Sequence, residues 1–212
     1  MTSRFLDVLR QRVLVYDGAM GTQIQAQNLS ADDFGGKRWE GCNDYLSLTK
    51  PEAIERIHVA YFEAGADVVE TNSFQASRVR LEEWGIGEKT FAVNEAAAAI
   101  ARRVADRFST PARPRFVAGS IGPSGMLPSS EDPDLGRMSL DDLVPGYVEQ
   151  AGGLIVGGAD VLILETCQDM LEMKAQVVGS RQAFATLGKR VPIQCSVTNS
   201  RSVSAIGSGF IG

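Results

Sequence analysis

The sequence predicts an α/β fold of the (β/α)8 barrel (TIM-barrel) family, with about five of the eight βα units present in this chain. Three observations carry that reading. Short β-branched runs alternate with helix-period stripes from Leu14 to Val197 of the 212 residues. Three apolar runs each close on an acid: Val13-Leu14-Val15-Tyr16 on Asp17, Val68-Val69 on Glu70, and Val161-Leu162-Ile163-Leu164 on Glu165. Gly65-Ala66-Asp67-Val68 returns as Gly158-Ala159-Asp160-Val161, twice placing a helix stop before a buried strand that ends in Glu-Thr. Strands separated by helices give a parallel sheet, either doubly wound or closed into a barrel. Acids at several different strand ends favour the barrel, whose sites are assembled from the carboxyl ends of many strands. A doubly wound nucleotide fold would carry Gly-x-Gly-x-x-Gly after its first strand, and Gly18 and Gly21 do not supply it.

The elements follow in order. Leu14 to Tyr16 is the first strand, leading into the Gly18–Gly21 turn. Thr49-Lys50-Pro51-Glu52 reads as a capping box with proline in the first turn, and Ile54, Ile57, Tyr61 and Phe62 form the stripe of the helix behind it. Val68 to Glu70 is the second strand. Ala92 to Val104 is an alanine-rich helix that ends before Pro111 and Pro114. Phe116 to Ala118 is the third strand, followed by Gly119-Ser120-Ile121-Gly122-Pro123 and a polar loop, 124–137, long enough to serve a function. Ser139 caps a helix carrying Leu143, Val144, Tyr147, Leu154 and Ile155. The fourth strand starts at Val161, residues 170–187 are helical, and Ile193 to Val197 is the fifth strand. From Asn199 to Gly212 the chain is rich in Ser and Gly, without a helix period or a sixth strand.

Composition narrows the function classes. The chain is 44% hydrophobic and 22% charged, which are globular values. A net charge of −5 without a Lys/Arg cluster argues against a nucleic-acid surface. The apolar runs are too short to span a bilayer, and Met1 to Arg12 lacks the apolar core of a secretory signal. Three widely spaced cysteines, at 42, 167 and 195, suit free thiols in a reducing cytoplasm.

Asp17-Gly18-Ala19-Met20-Gly21-Thr22, Gly41-Cys42-Asn43-Asp44, Gly65-Ala66-Asp67-x-x-Glu70-Thr71-Asn72-Ser73-Phe74, Gly119-Ser120-Ile121-Gly122-Pro123 and Gly158-Ala159-Asp160 through Glu165-Thr166 occur in that order. Together they resemble the homocysteine-binding domain of cobalamin-dependent methionine synthases, within the homocysteine S-methyltransferases. The resemblance implies a (β/α)8 barrel that transfers a methyl group to the sulfur of homocysteine. It also implies a zinc ion, held by three cysteines, that makes the thiol a thiolate. Those cysteines follow the sixth strand and lie near the eighth, so neither the zinc nor the cobalamin has ligands in this chain.

By the same resemblance Glu165 accepts a hydrogen bond from the homocysteine ammonium. Asp17 lies beside it, and the backbone of Gly18, Ala19, Met20, Gly21 and Thr22 receives the carboxylate. Glu70, Asn72 and Ser120 line the same mouth. Residues 1–198 then read as the N-terminal part of the barrel, and 199–212 as a diverged or non-native tail. The alternative is a non-catalytic module that binds a small amino acid, or that assembles with itself, another domain or another chain to complete its sheet. The remaining conspicuous residues read as packing: His58 on its helix, Cys167 as a small loop residue, Cys195 inside a strand, and Trp39 and Trp84 in loops.

Overall fold

A computed structural model describes residues 3–198 and the backbone of residues 207–211. In chain order the elements are α1 (Arg4–Leu9), α2 (Met20–Ala26), α3 (Leu46–Thr49), α4 (Pro51–Ala64), β1 (Val68–Glu70), α5 (Arg78–Glu82) and α6 (Thr90–Phe108). They continue with β2 (Phe116–Ile121), α7 (Leu140–Gly157), β3 (Val161–Cys167), α8 (Met170–Leu187), β4 (Ile193–Val197) and β5 (Gly207–Ile211). The sheet order is β1-β2-β3-β4-β5, parallel throughout except for the antiparallel β4–β5 pair. Strands that follow one another in space as they do in sequence are wound in one direction. A doubly wound sheet reverses its order at a switch point; a barrel does not.

Two apolar layers lie on either side of this sheet, and strand alternation assigns each residue to one of them. Val69, Val117, Leu162, Leu164, Ile193 and Cys195 pack outward against helix residues such as Val104, Tyr147, Leu154 and Phe184. Val68, Phe116, Ala118, Val161 and Ile163 face inward, where Phe5 and Leu14 join them. Helix α1, capped by Ser3, thus closes the lower end of the curved sheet. Its Phe5 ring meets Phe116 edge-on, with centroids 5.4 Å apart. Across the same interior the Tyr16 hydroxyl donates to Gln194 Oε1 at 2.8 Å, tying the first segment of the curve to β4.

Glycine permits the close helix contacts of the outer layer. A Cβ on Gly157 of α7 would stand 2.4 Å from the Glu95 carbonyl of α6, and one on Gly179 of α8 would stand 2.7 Å from Tyr147 Cβ. Helix α7 starts with the expected Ser139 cap, completed as a capping box by Asp142. Helices α4 and α7 both end on a left-handed glycine, Gly65 and Gly158, as the repeated Gly-Ala-Asp motif requires.

Several expectations need correction. Leu14 to Tyr16 does not form a ladder strand. It holds to β1 through one parallel bridge, Tyr16 to Val68, and through Val15 and Asp17 backbone bonds. The segment is at the sheet edge, with Val13 81% and Val15 56% exposed, so it has one neighbour to pair with. Thr49 is not a helix cap, because α3 already holds it in helical geometry and its hydroxyl turns back to the Tyr45 carbonyl at 3.4 Å. The chain beyond Val197 does supply a further strand, β5, although its Ser/Gly composition gave no strand signal. Residues 199–206 and 212 lie outside the described residues. Cys167 is not in a loop but ends β3, buried in the outer layer. Among the described residues no helix is long and apolar enough to cross a membrane.

Candidate functional site

Alternation builds the site one layer above the apolar interior. Two residues beyond Val68 is Glu70, two beyond Ala118 is Ser120, and two beyond Ile163 is Glu165, so the last inward positions of β1, β2 and β3 are all polar. They floor a cavity of about 470 Å3 at the carboxyl ends of the strands. Asp17 and the Gly18–Gly21 turn form one wall. Asn43, Asp44, Asn72, Phe74, Gln75 and Trp84 form the rim.

Each acid but one is held by a protein donor. The Glu70 amide donates to both Asp17 oxygens at 3.1 Å, Ser120 Oγ donates to Glu165 Oε1 at 2.5 Å, and the Gln75 amide donates to Asp44 Oδ1 at 2.9 Å. No described group hydrogen-bonds the Glu70 carboxyl, which leaves it to face the cavity. Burial pushes Asp17 up to about 7, with the charge of Glu165 adding and the Glu70 amide opposing. Burial, then Glu165 and Asp17, push Glu70 up to about 8. Glu165 also rises through burial, against the Ser120 bond. Asp44, fully enclosed, rises to about 6 by burial.

The remaining polar groups set the shape of the rim. Asn72 Nδ2 donates to the Asn43 carbonyl at 2.7 Å and to Ser47 Oγ at 3.3 Å. It therefore fastens the loop after β1 to the 43–47 segment while also lining the cavity. Thr71 and Ser73 share a 2.6 Å hydroxyl contact, and Ser73 Oγ donates to the Ser120 carbonyl at 2.7 Å. Tyr61 of α4 steadies the turn, donating to the Ala19 carbonyl at 3.3 Å. A side chain at Gly18 would press on that same hydroxyl, with its Cβ 3.3 Å away.

Nine of the ten residues expected at the site line this cavity: Asp17, Gly18, Ala19, Met20, Gly21, Glu70, Asn72, Ser120 and Glu165. Thr22 is not among them; it is exposed on α2, one residue past the turn. Sequence reasoning missed Asp44, Phe74, Gln75 and Trp84. Asp44 had a signal, since an acid in a Gly-x-Asn-Asp turn ahead of a helix is a rim candidate, whereas Trp84 had none because it reaches the cavity from beyond α5. The 124–137 loop lies apart from the cup. It borders a second cavity of about 500 Å3 with Gln168, Asp169, Val197 and Thr198.

The three cysteines do not converge. Cys42 lines the rim with its thiol pushed up to about 12 by burial and by Asp44, while Cys167 and Cys195 sit in the outer layer. Among the described residues no three His, Cys, Asp or Glu side chains are arranged to hold a metal ion. His58 is wholly buried on α4 and pushed down to about 4 by desolvation, a packing residue.

The sequence profile of the homocysteine S-methyltransferases matches residues 14–209. Methionine synthase of Mycobacterium tuberculosis is 47% identical over 193 residues, and that of Mycobacterium leprae is 46% identical over the same length. Those alignments cover 91% of this chain but only 16% and 15% of the two relatives. Among solved structures, the oxidized and metallated forms of the homocysteine methyltransferase MmuM from Escherichia coli superpose with TM-scores of 0.67 at 22% identity. The match takes in 89% and 88% of this chain, against 63% and 64% of those chains. At that identity the likeness is one of fold, part of a TIM barrel.

Proposed function

Since the chain belongs to the homocysteine S-methyltransferase family, we propose that its cup anchors homocysteine for methyl transfer to the sulfur, as the N-terminal part of a methionine synthase-type barrel. One observation supports this above others. Among the described residues the cavity is lined by four carboxyl side chains, Asp17, Asp44, Glu70 and Glu165, and by no Lys, Arg or His. As these acids ionise they call for a positive charge, and the ammonium of an amino acid brings one. Its carboxylate then needs donors that are not basic side chains. The first-turn amides of α2, which have no intrahelical acceptors, stand beside Asp17 for that purpose.

In this reading Glu165 and Asp17 accept from the ammonium, the Gly18–Gly21 backbone takes the carboxylate, and Ser120 fixes Glu165. Glu70, unheld, adjusts to the ligand. The half-apolar rim of Met20, Phe74 and Trp84 suits a thioalkyl side chain. A metal would deprotonate the thiol, but with Cys42 at the rim and Cys167 and Cys195 in the outer layer the cysteines here are too dispersed to hold zinc. The contribution of these residues is therefore to bind and orient the amino acid, and the free thiols of Cys42, Cys167 and Cys195 suit a reducing cytoplasm.

Calorimetric titration of the chain with homocysteine tests the proposal. Saturable binding that Glu165→Ala abolishes supports it, and a folded chain that binds nothing overturns it. A second reading, assembly with another domain or chain, rests on Val13 and Val15, apolar and open at the sheet edge. Light scattering across a concentration series checks it.

A further inference from the structure

The carboxyl end of β3 breaks its own alternation. Val161 and Ile163 point inward and Glu165 continues that series, so a regular strand would turn Cys167 inward as well. Cys167 instead lies with Leu162 and Leu164 in the outer layer, its thiol donating to Gln176 Oε1 at 3.1 Å. The register against β4 shifts between Leu164 and Cys167, which marks a bulge with Thr166 as the additional residue. Thr166 adopts φ 60°, one of two non-glycine residues with positive φ among those described. For a β-branched residue this is a costly backbone, kept only where the surroundings over-determine it.

The surroundings do so from both sides. Glu165 is fixed inside the cup by Ser120 Oγ. Cys167 is fixed outside it, by Gln176 and by the Thr198 amide, which donates to the Cys167 carbonyl at 2.9 Å. Gln176 is itself anchored, its Nε2 donating to the Gly122 carbonyl at 3.1 Å. One residue thus reconciles two opposite demands on its neighbours. We propose that Thr166 is a positioning residue whose left-handed backbone, rather than its hydroxyl, aims Glu165 into the cup. No hydrogen bond of that hydroxyl accompanies the turn among the described contacts, and Thr166 does not line the cavity. The proposal rests on the homocysteine reading only for its effect on binding, not for the aim of the carboxylate.

Carboxyl 13C NMR titration of the full chain, with melting curves, tests it. Glu165 in the parent titrates above the ordinary glutamate value of ~4.3. Thr166→Gly and Thr166→Val keep that elevated titration. Thr166→Gly also melts at least as high as the parent, since glycine removes the left-handed penalty. Thr166→Pro, which cannot reach positive φ, returns Glu165 to the ordinary range, while Asp169 at the α8 cap still titrates low as a sign that the local fold persists. Loss of the elevated titration in Thr166→Val would make the hydroxyl the operative group and overturn the proposal. So would a Thr166→Gly chain that melts lower, or a Thr166→Pro chain in which Glu165 is unmoved. If Thr166→Pro does not fold, the Gly and Val variants decide. Homocysteine affinity should fall about tenfold or more in Thr166→Pro and stay near parental in Thr166→Gly. A parent that binds no homocysteine but shows the NMR pattern would defeat the ligand reading and leave the positioning role standing.

Discussion

Ser120 Oγ donates to Glu165 Oε1 at 2.5 Å, joining the last inward residues of two neighbouring strands, β2 and β3. The bond favours the ionised carboxylate, against burial that favours the neutral acid. Ser120→Ala should leave Glu165 more often protonated at neutral pH and without its fixed rotamer. Because a hydrogen bond to a charged group contributes ~1.5–3 kcal/mol, homocysteine affinity should drop about tenfold or more. Calorimetry at pH 7 on parent and variant reads this directly, with an unchanged far-UV circular dichroism spectrum as the control for folding and a lower melting temperature from the lost bond.

The pH dependence of the cup has a definite sign. Asp17 at about 7 and Glu70 at about 8 hold protons in the folded chain that the unfolded chain releases near 4. Between those limits the native state binds more protons, so stability falls as pH rises from about 4 to 8. Thermal melts across that range should slope downward, and Glu70→Gln should flatten the slope. Homocysteine affinity should move the opposite way, strengthening from pH 6 to 8 as the acids ionise.

At the lower end of the sheet the sign reverses. Asp67 is buried, which pushes its carboxyl up. The Arg12 guanidinium at 2.7 and 3.0 Å, the Val15 amide and Arg113 together outweigh that and hold it below its ordinary value. Its contribution is complete above about pH 4 and is lost as pH falls through the lowered native value. Asp67→Asn should cost about 2 kcal/mol at pH 7, less than a fully buried pair, because Arg12 and Arg113 reach solvent. Urea unfolding should show the full deficit at pH 7 and a smaller one at pH 3, below the ordinary aspartate value.

Gly122 packs against the rim. A Cβ there would lie 2.4 Å from the Phe74 carbonyl and 2.7 Å from its ring. Gly122→Ala should therefore displace Phe74, which accepts a hydrogen bond from the Gly122 amide and lines the cup. An overpacking cost of about 1–3 kcal/mol follows, measurable by urea unfolding, with weakened homocysteine binding alongside.

Much of this was legible because barrel strands speak in period two. Val68-x-Glu70 and Ile163-x-Glu165 announce an apolar floor with an acid above it, and Gly-Ala-Asp twice announces the turn beneath. What could not be read was whatever depended on a neighbour. Leu14 to Tyr16 has strand composition but only β1 to pair with, so it stops at a single bridge. Thr22 shares a motif with Gly18–Gly21, but helix geometry carries it out to solvent. Trp84 and Gln75 enter the rim through loop paths that no local pattern encodes. The bulge at Thr166 hides in an ordinary β-branched residue, where glycine would have advertised it.

The hydroxyl-to-amide contact between Tyr16 and Gln194 spans 178 residues of sequence. Loop closure over such a distance is slow, and its entropy must be met before any contact rewards it. As the polypeptide leaves the ribosome, Asp17 finds its Glu70 amide after some fifty further residues, an early pairing of two acids with nothing yet to enclose them. Glu165 arrives far later, and the tie to Gln194 later still. The ligand cup is thus among the last things this chain makes, and any nascent piece that stops short of Gln194 carries its acids on a sheet without the Tyr16 tie across its interior.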